Sequence, residues 1–303
     1  MTIQKWAEDL AQLMNPNNIK KNEVLKEYTM TKLGGAADLF VMPDTEDEAQ
    51  AVIKYAYDNH IPLLMLGNGS NMVVRDGGVR GIVVTFKNLN KIRVDGTRIY
   101  AESGALIKDV SKKAAQESLT GFEFACGIPG SVGGAMAMNA GAYGGEIKDI
   151  IISCTVLTKE GKKLVLTKDE LELRYRHSII SQEGYYVLSS LFQLEKGDQK
   201  EIDEKIADLT YKRESKQPLE YPSAGSVFKR PPGYFAGKLI QDSGLQGKGV
   251  GGAEVSTKHA GFIINKGNAT ATDYIQTIEM VQGVVKEKFG VDLELEVKIV
   301  GED

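Results

Sequence analysis

The chain has 303 residues with 42% hydrophobic and 26% charged side chains, a balance ordinary for a globular protein long enough to bury a core without staples. Its 37 basic and 41 acidic residues leave a formal charge of −4, which argues against nucleic acid as the default partner. Two cysteines, Cys126 and Cys154, and three scattered histidines, His60, His177 and His259, make neither a disulfide framework nor a metal-ligand spacing, so no metal is expected. The first ten residues lack the apolar core of a signal peptide, and no run approaches the ~20 apolar residues that span a bilayer. A cytoplasmic protein with no membrane partner is therefore expected. A length of 303 residues favours two or three compact units.

In chain order, Trp6, Leu10, Leu13 and Met14 recur at helical spacing and predict a helix that Pro16 stops. Leu39–Pro43 reads as a short strand. Thr45 with Glu48 reads as a capping box opening a helix that runs through Tyr57. Ile61–Leu66, Met72–Val74 and Ile82–Phe86 read as strands, and so does Ile99–Glu102. Leu106–Glu117 follows as a helix. The stretch 127–145 is unusual in being crowded with Gly, Ala, Met and Asn. Cys154–Leu157 and Lys163–Leu166 predict a hairpin, Tyr186–Leu194 a further strand, and Ile202–Glu214 a charged helix. Pro218 and Pro222 mark a boundary. Beyond it come a helix near Ala236–Ser243, a strand at Gly261–Asn265 and a helix over Thr272–Phe289 capped by Gly290. Strict alternation from Leu293 to Val300 predicts a half-buried strand. Helices and strands are thus mixed without βαβ regularity, an α+β chain.

Three segments carry chemical signals. In Ala224-Gly225-Ser226, Gly225 permits a turn, and Pro231 and Pro232 stiffen the chain beyond it, so Ser226 is presented on a rigid loop. No Gly-x-Ser-x-Gly elbow surrounds it, which points away from a hydrolase nucleophile and toward a proton donor; an ordinary polar turn fits the same residues. Gly67-Asn68-Gly69-Ser70-Asn71 follows a strand with no helix after it, which excludes the usual dinucleotide fingerprint. Its packed backbone N–H groups form a potential anion cradle, or simply a tight turn between strands. Gly130, Ser131, Gly133 and Gly134, leading into the small residues 135–142, permit a large flat ligand to lie along the backbone, or two chain segments to pack closely.

Six blocks in order, Thr31–Ala37, Leu66–Asn71, Gly127–Gly134, Arg174–Ser178, Ala224–Lys229 and Leu295–Val297, resemble those of the UDP-N-acetylenolpyruvoylglucosamine reductases, flavoenzymes of peptidoglycan precursor synthesis. The resemblance spans nearly the whole chain. It implies a two-subdomain FAD-binding unit of vanillyl-alcohol-oxidase type (residues 1–95 and 96–217) and a smaller C-terminal α+β substrate domain (218–303). It implies non-covalent FAD bound at Gly67, Asn68, Gly69, Ser70, Asn71, Gly130, Ser131, Gly133 and Gly134. NADPH and a UDP-sugar nucleotide are the implied substrates. The C-terminal portion is short, as in the type II form that lacks an added tyrosine loop.

The implied reaction reduces the vinyl ether of UDP-N-acetylglucosamine enolpyruvate, with NADPH reducing FAD and a hydride then passing to the vinyl carbon distal to the carboxylate. Charge accumulates beside the carboxylate and must be stabilised and protonated. Ser226 matches the family's proton donor, Arg176 its substrate-activating arginine and Glu296 the glutamate near the substrate carboxylate. An ionised Glu296 would repel that charge, so a protonated Glu296 donating a hydrogen bond is expected. Lys229, Arg230 and Lys238 are candidates for the sugar-nucleotide diphosphate, with solvated surface charge the alternative. His259 is expected to pack or hydrogen-bond rather than catalyse. The rival readings are a flavin oxidase on the same scaffold and a non-catalytic nucleotide sensor.

Overall fold

The computed structural model describes residues 2–303, which divide into two compact units. Among the described residues, unit 1 comprises 2–22, 38–68 and 81–213, and unit 2 comprises 23–37, 69–80 and 214–303.

Unit 1 is built on a five-stranded antiparallel sheet in the order Lys163–Thr167, Ile151–Leu157, Tyr186–Gln193, Arg98–Glu102, Ile92–Asp95. The expected hairpin is its edge, with Leu157 opposite Lys163. The helix Ile107–Gln116 and the short helix Val132–Ala137 bury Ile107, Val110, Val132 and Met136 in one core with Ile99, Phe122 and Phe192. That short helix lies inside the stretch crowded with small residues. Four of its six residues are Gly or Ala, so it has little amphipathic pattern to reveal it, but the Ser131 hydroxyl caps it by accepting the Gly134 N–H at 3.3 Å. A second core joins Leu39, Val41, Ile82 and Val84 to the helix Glu46–Asp58 through Ala49, Val52, Ile53 and Ala56. Thr45 caps this helix as expected, accepting the Glu48 N–H at 3.1 Å. The first helix is shorter than its spacing implied. It spans Ile3–Leu10, started by Thr2, and Met14 reaches the core from the turn beyond it.

Unit 2 holds a four-stranded antiparallel sheet, Ser223–Ser226, Phe262–Asn265, Ala253–Val255, Gly249–Val250, covered by the helix Ala271–Phe289. Tyr274, Ile278, Val281 and Val285 form the buried stripe of that helix, and the Tyr274 hydroxyl donates to the Ile263 carbonyl at 2.9 Å. Thr270 and Asp273 close a capping box at one end, and Gly290, at φ +70°, ends the helix. Asp76 adds a second anion at the N-terminus, accepting from Ala271 N, Thr272 N and Thr272 Oγ1 at 2.8–2.9 Å. Burial pulls its carboxyl up, but these three hydrogen bonds outweigh that and hold it below the ordinary carboxylate value. The alternating C-terminal segment is a regular strand only over Lys298–Val300, parallel to Met72–Val74. Residues 293–297 depart from it because their pairing with 227–229 is irregular.

Candidate active site

In unit 2 the strand Ser223–Ser226 pairs with its neighbour out of step: Ser223 faces Ile264 and Ser226 faces Phe262. Three steps on one strand oppose two on the other, which is a β-bulge. Gly225 absorbs it at φ +73°. A side chain on Gly225 would meet nothing within 4 Å, so conformation alone requires the glycine. The bulge turns Ser226, which is half-buried, away from the course of a regular strand.

The next residue binds the C-terminal segment. The Val227 carbonyl accepts both Glu296 N at 2.8 Å and Val297 N at 3.3 Å, while Lys229 N donates to the Glu294 carbonyl at 2.8 Å. Two amides on one carbonyl break the alternation. Glu294 is left with its side chain 75% exposed and ion-paired to Lys229 at 3.3 Å, whereas Glu296 is half-buried. Asn71 joins this arrangement. Its amide donates to the Glu296 carbonyl at 3.0 Å, and its own carbonyl accepts Lys298 N at 3.1 Å. Ser226, Glu296 and Asn71 thus lie on three laced segments of one unit.

Arg176 belongs to unit 1. Arg174 N donates to the His177 carbonyl at 3.1 Å and His177 N to the Arg174 carbonyl at 3.0 Å, closing a tight turn over Tyr175 and Arg176. Of those two central residues only Arg176 has a positive φ, +54°, the pattern of a type II turn, where glycine is the usual occupant. An arginine there is strained by about 1–2 kcal/mol. Its guanidinium carbon lies 5.2 Å from the centre of the exposed Tyr175 ring. His177 Nε2 is buried and has no hydrogen-bond partner among the described residues.

The glycine clusters serve two purposes. Asn68 donates to the Pro129 carbonyl at 2.6 Å, tying the first loop to the second within unit 1. Gly69, at φ +61°, leaves no room for a side chain against the Tyr28 carbonyl, and Ser70 is half-buried. The Gly130 carbonyl accepts Ile107 N at 3.0 Å. A Cβ on Gly133 would collide with the Ser103 hydroxyl, so this glycine serves chain packing. Gly67 is exposed, and a Cβ there would come within 2.9 Å of the Ser131 hydroxyl. A Cβ on Gly134 would meet only Ser131 Oγ, at 3.5 Å, so its backbone is open to approach.

Arg213 was not legible in the sequence as a site residue. Near the end of the charged helix Gln199–Lys216, it lays its side chain against the glycine cluster, where a Cβ on Gly127 would stand 2.5 Å from Arg213 Cδ. Burial lowers the affinity of its guanidinium for a proton, Tyr143 and Cys126 offset this in part, and it makes no ion pair among the described residues. Its helix is rich in charge, and only the fold distinguishes this cation from its solvated neighbours.

Of the remaining candidates, Arg230 lies over the exposed Phe235 ring at 3.9 Å and Lys238 is ion-paired with Asp242 on its own helix. His259 accepts the Gly261 N–H on Nδ1 at 3.1 Å and packs edge-on against Phe262, with burial holding it below the ordinary imidazole value. Burial pushes the Cys154 thiol up to about 12, so it is inert. Among the described residues no helix is long and apolar enough to cross a membrane.

Comparison with known proteins gives this geometry its context. A family described as "FAD binding domain" matches residues 37–167, and "UDP-N-acetylenolpyruvoylglucosamine reductase, C-terminal domain" matches residues 217–300. The UDP-N-acetylenolpyruvoylglucosamine reductase of Geobacillus thermodenitrificans is 59% identical over 98% of this chain and 97% of its own length. The solved UDP-N-acetylenolpyruvylglucosamine reductase of Thermus caldophilus superposes with a TM-score of 0.81 at 33% identity, over 92% of this chain and 98% of that one. An alkyldihydroxyacetonephosphate synthase, at 17% identity and a TM-score of 0.50, covers 64% of this chain and 40% of its own, a likeness of fold alone. The expected α+β architecture, an FAD-binding unit of vanillyl-alcohol-oxidase type followed by a C-terminal domain, holds. With near-complete coverage at this identity, the chain belongs to the UDP-N-acetylenolpyruvoylglucosamine reductase family.

Proposed function

We propose that Ser226, Arg176 and Glu296 carry the reduction of UDP-N-acetylglucosamine enolpyruvate to UDP-N-acetylmuramate in this chain. The observation that supports it most is the Val227 carbonyl shared by Glu296 N and Val297 N, which sets the glutamate's segment beside the serine's strand. Family membership makes the chain an FAD-dependent oxidoreductase of peptidoglycan precursor synthesis that uses NADPH.

Bound FAD supplies the hydride. The loops fit such a flat, anionic cofactor: Gly67 is exposed, Gly134 is open to backbone approach, and Arg213 offers a positive charge that no carboxylate neutralises among the described residues. Gly67, Asn68, Gly69, Ser70, Asn71, Gly130, Ser131, Gly133 and Gly134 are the proposed cofactor-binding set. Within it Gly69 and Gly133 act by allowing the chain to pack, and Asn71 by holding the Glu296 backbone.

The remaining chemistry belongs to side chains. Arg176 presents a planar fork to the substrate carboxylate and to the negative charge that grows beside it. Ser226 gives its hydroxyl proton to the carbon next to the carboxylate, and solvent restores that proton. Glu296, protonated, donates a hydrogen bond to the same charge. Glu296→Gln keeps that donor and is expected to retain most of the turnover that Glu296→Ala loses; equal losses overturn the protonated role. Lys229, Arg230 and Lys238 are proposed for the UDP diphosphate. Residues 1–95 and 96–217 are proposed as the FAD-binding subdomains and 218–303 as the substrate domain, in a cytoplasmic enzyme.

Anaerobic visible spectroscopy of the purified protein tests the whole reading. NADPH should bleach the oxidised flavin, and the enolpyruvyl sugar nucleotide should restore it. A protein that stays colourless after FAD is supplied sinks the reading. Reoxidation only on admitting air favours an oxidase, and release of free FAD on denaturation distinguishes non-covalent from covalent attachment.

A further inference from the structure

Asn139 lies beyond the second glycine cluster, 1% exposed and at φ +46°. Its amide nitrogen donates to Glu146 Oε2 at 2.6 Å and to the Arg174 carbonyl at 3.2 Å, and its amide oxygen accepts Lys148 N at 2.9 Å. Both amide hydrogens and the oxygen are therefore engaged. The Arg174 carbonyl is also the acceptor for His177 N, the bond that closes the Arg176 turn. A carbonyl has two lone pairs, and Asn139 takes the one that the turn leaves open. On the far side of the turn, the fully buried Ser178 donates its hydroxyl to the Ala137 carbonyl at 2.7 Å. The two ends of the turn are thus fastened to residues 137–139.

We propose that Asn139 is a positioning residue for Arg176, acting through the Arg174 carbonyl. The proposal rests on the reading of Arg176 as the substrate-activating arginine. A turn with arginine in the left-handed region is not held there by local preference, because arginine prefers negative φ. The surroundings must over-determine it. By fixing the peptide plane that enters the turn, Asn139 keeps Arg176 at φ +54° and its guanidinium in one place. Without that bond the turn relaxes toward negative φ and the charge moves away from where it is needed. A misplacement of about 1 Å in a group that orients the reacting centre is worth on the order of 100-fold in rate.

The test uses the FAD-loaded enzyme in stopped flow, following flavin bleaching by NADPH and flavin recovery with the enolpyruvyl sugar nucleotide separately. Asn139→Gly tolerates the positive φ and removes the side chain with its bonds to the Arg174 carbonyl, Glu146 and Lys148 N. It should slow recovery by roughly 10- to 100-fold and leave bleaching within about twofold. In an Arg176→Ala background the same change should have no further effect, because the group it positions is gone. A purely structural Asn139 would slow both half-reactions together, or add its full effect to that of Arg176→Ala, and either result overturns the proposal. So does Asn139→Gly with unchanged recovery.

If Asn139→Gly fails to fold, the exchange Asn139→Asp with Glu146→Gln keeps an amide–carboxylate contact and the acceptor for Lys148 N, yet removes the residue 139 donor to the Arg174 carbonyl, which keeps only His177 N. The same split between half-reactions is then required, and its absence overturns the proposal. Arg176→Ala alone separates the two levels. Unimpaired recovery in that variant refutes the reading of Arg176, whereas impaired recovery there with none in the Asn139 variants refutes only the positioning role.

Discussion

The Ser226 strand and the Arg176 turn solve one problem in opposite ways. Each aims a polar side chain by a residue at positive φ, Gly225 at +73° and Arg176 at +54°. At the strand the irregular conformation falls to a glycine, and the functional residue follows it in relaxed geometry. At the turn the functional residue itself occupies the strained position. The first arrangement is self-contained, since nothing approaches within 4 Å of where a Gly225 side chain would begin. The second depends on a buried asparagine from elsewhere in unit 1 and on the buried serine that follows the turn and ties it to Ala137. A bulge built on glycine tolerates changes around it, whereas a strained turn transmits changes in its supports to the charge it carries.

The largest expected effect comes from removing the groups these two devices aim. Ser226→Ala should slow flavin recovery with the enolpyruvyl sugar nucleotide by about 10²- to 10⁴-fold, the usual range for a positioned proton donor. Bleaching by NADPH should be unaffected. If both half-reactions fall equally, the bulge serves the fold rather than the proton.

Next in size are substitutions at the positive-φ residues themselves, and here the two regions should respond with opposite signs. Gly225→Ala places a Cβ in the left-handed region and should cost about 1–2 kcal/mol in denaturant unfolding. Arg176→Gly relieves the corresponding strain. It should be more stable than Arg176→Ala by about 1 kcal/mol once the extra freedom of glycine in the unfolded chain is counted. Both Arg176 variants should nevertheless lose substrate turnover. Equal stabilities for Arg176→Gly and Arg176→Ala would mean that the turn stores no strain, and the contrast would collapse.

What could be read in the sequence divides along the same line. Elements with a strong period or cap were legible: the Thr45-capped helix, the hairpin at Leu157 and Lys163, and the long helix closed by Gly290. Ser226 stood out from its own loop as a candidate proton donor, whereas Arg176 and Glu296 were singled out only as members of family motifs. The alternation from Leu293 to Val300 assigns Glu294 and Glu296 to one face, and the shared Val227 carbonyl that separates them is a tertiary event with no local signature. The strain at Arg176 was invisible because no turn residue announces it. Asn139 and Arg213 went unseen for a related reason: an asparagine among small residues and an arginine on a charged helix acquire meaning only from the segments folded against them.

The smallest effect tests whether an ordinary helix-capping acid, largely exposed, behaves unlike either device. Asp76 satisfies two backbone amides and a hydroxyl at the start of the helix Ala271–Phe289, with no strain and no part in the reaction. Asp76→Asn keeps one acceptor and loses the charge, and should cost about 1 kcal/mol of unit 2 stability. The sign with pH follows from its lowered proton affinity. The folded state binds the proton more weakly than the unfolded state, whose value is near 3.8, so the stabilisation is complete above that value. It disappears as pH falls through the lower folded value, and in that acid range wild type and Asp76→Asn should converge. Flavin bleaching and recovery should be untouched at neutral pH. A change in recovery alone would tie this cap to the segment that carries Asn71 and Glu296, and so to the aiming of Ser226, which its place at a helix end gives no reason to expect.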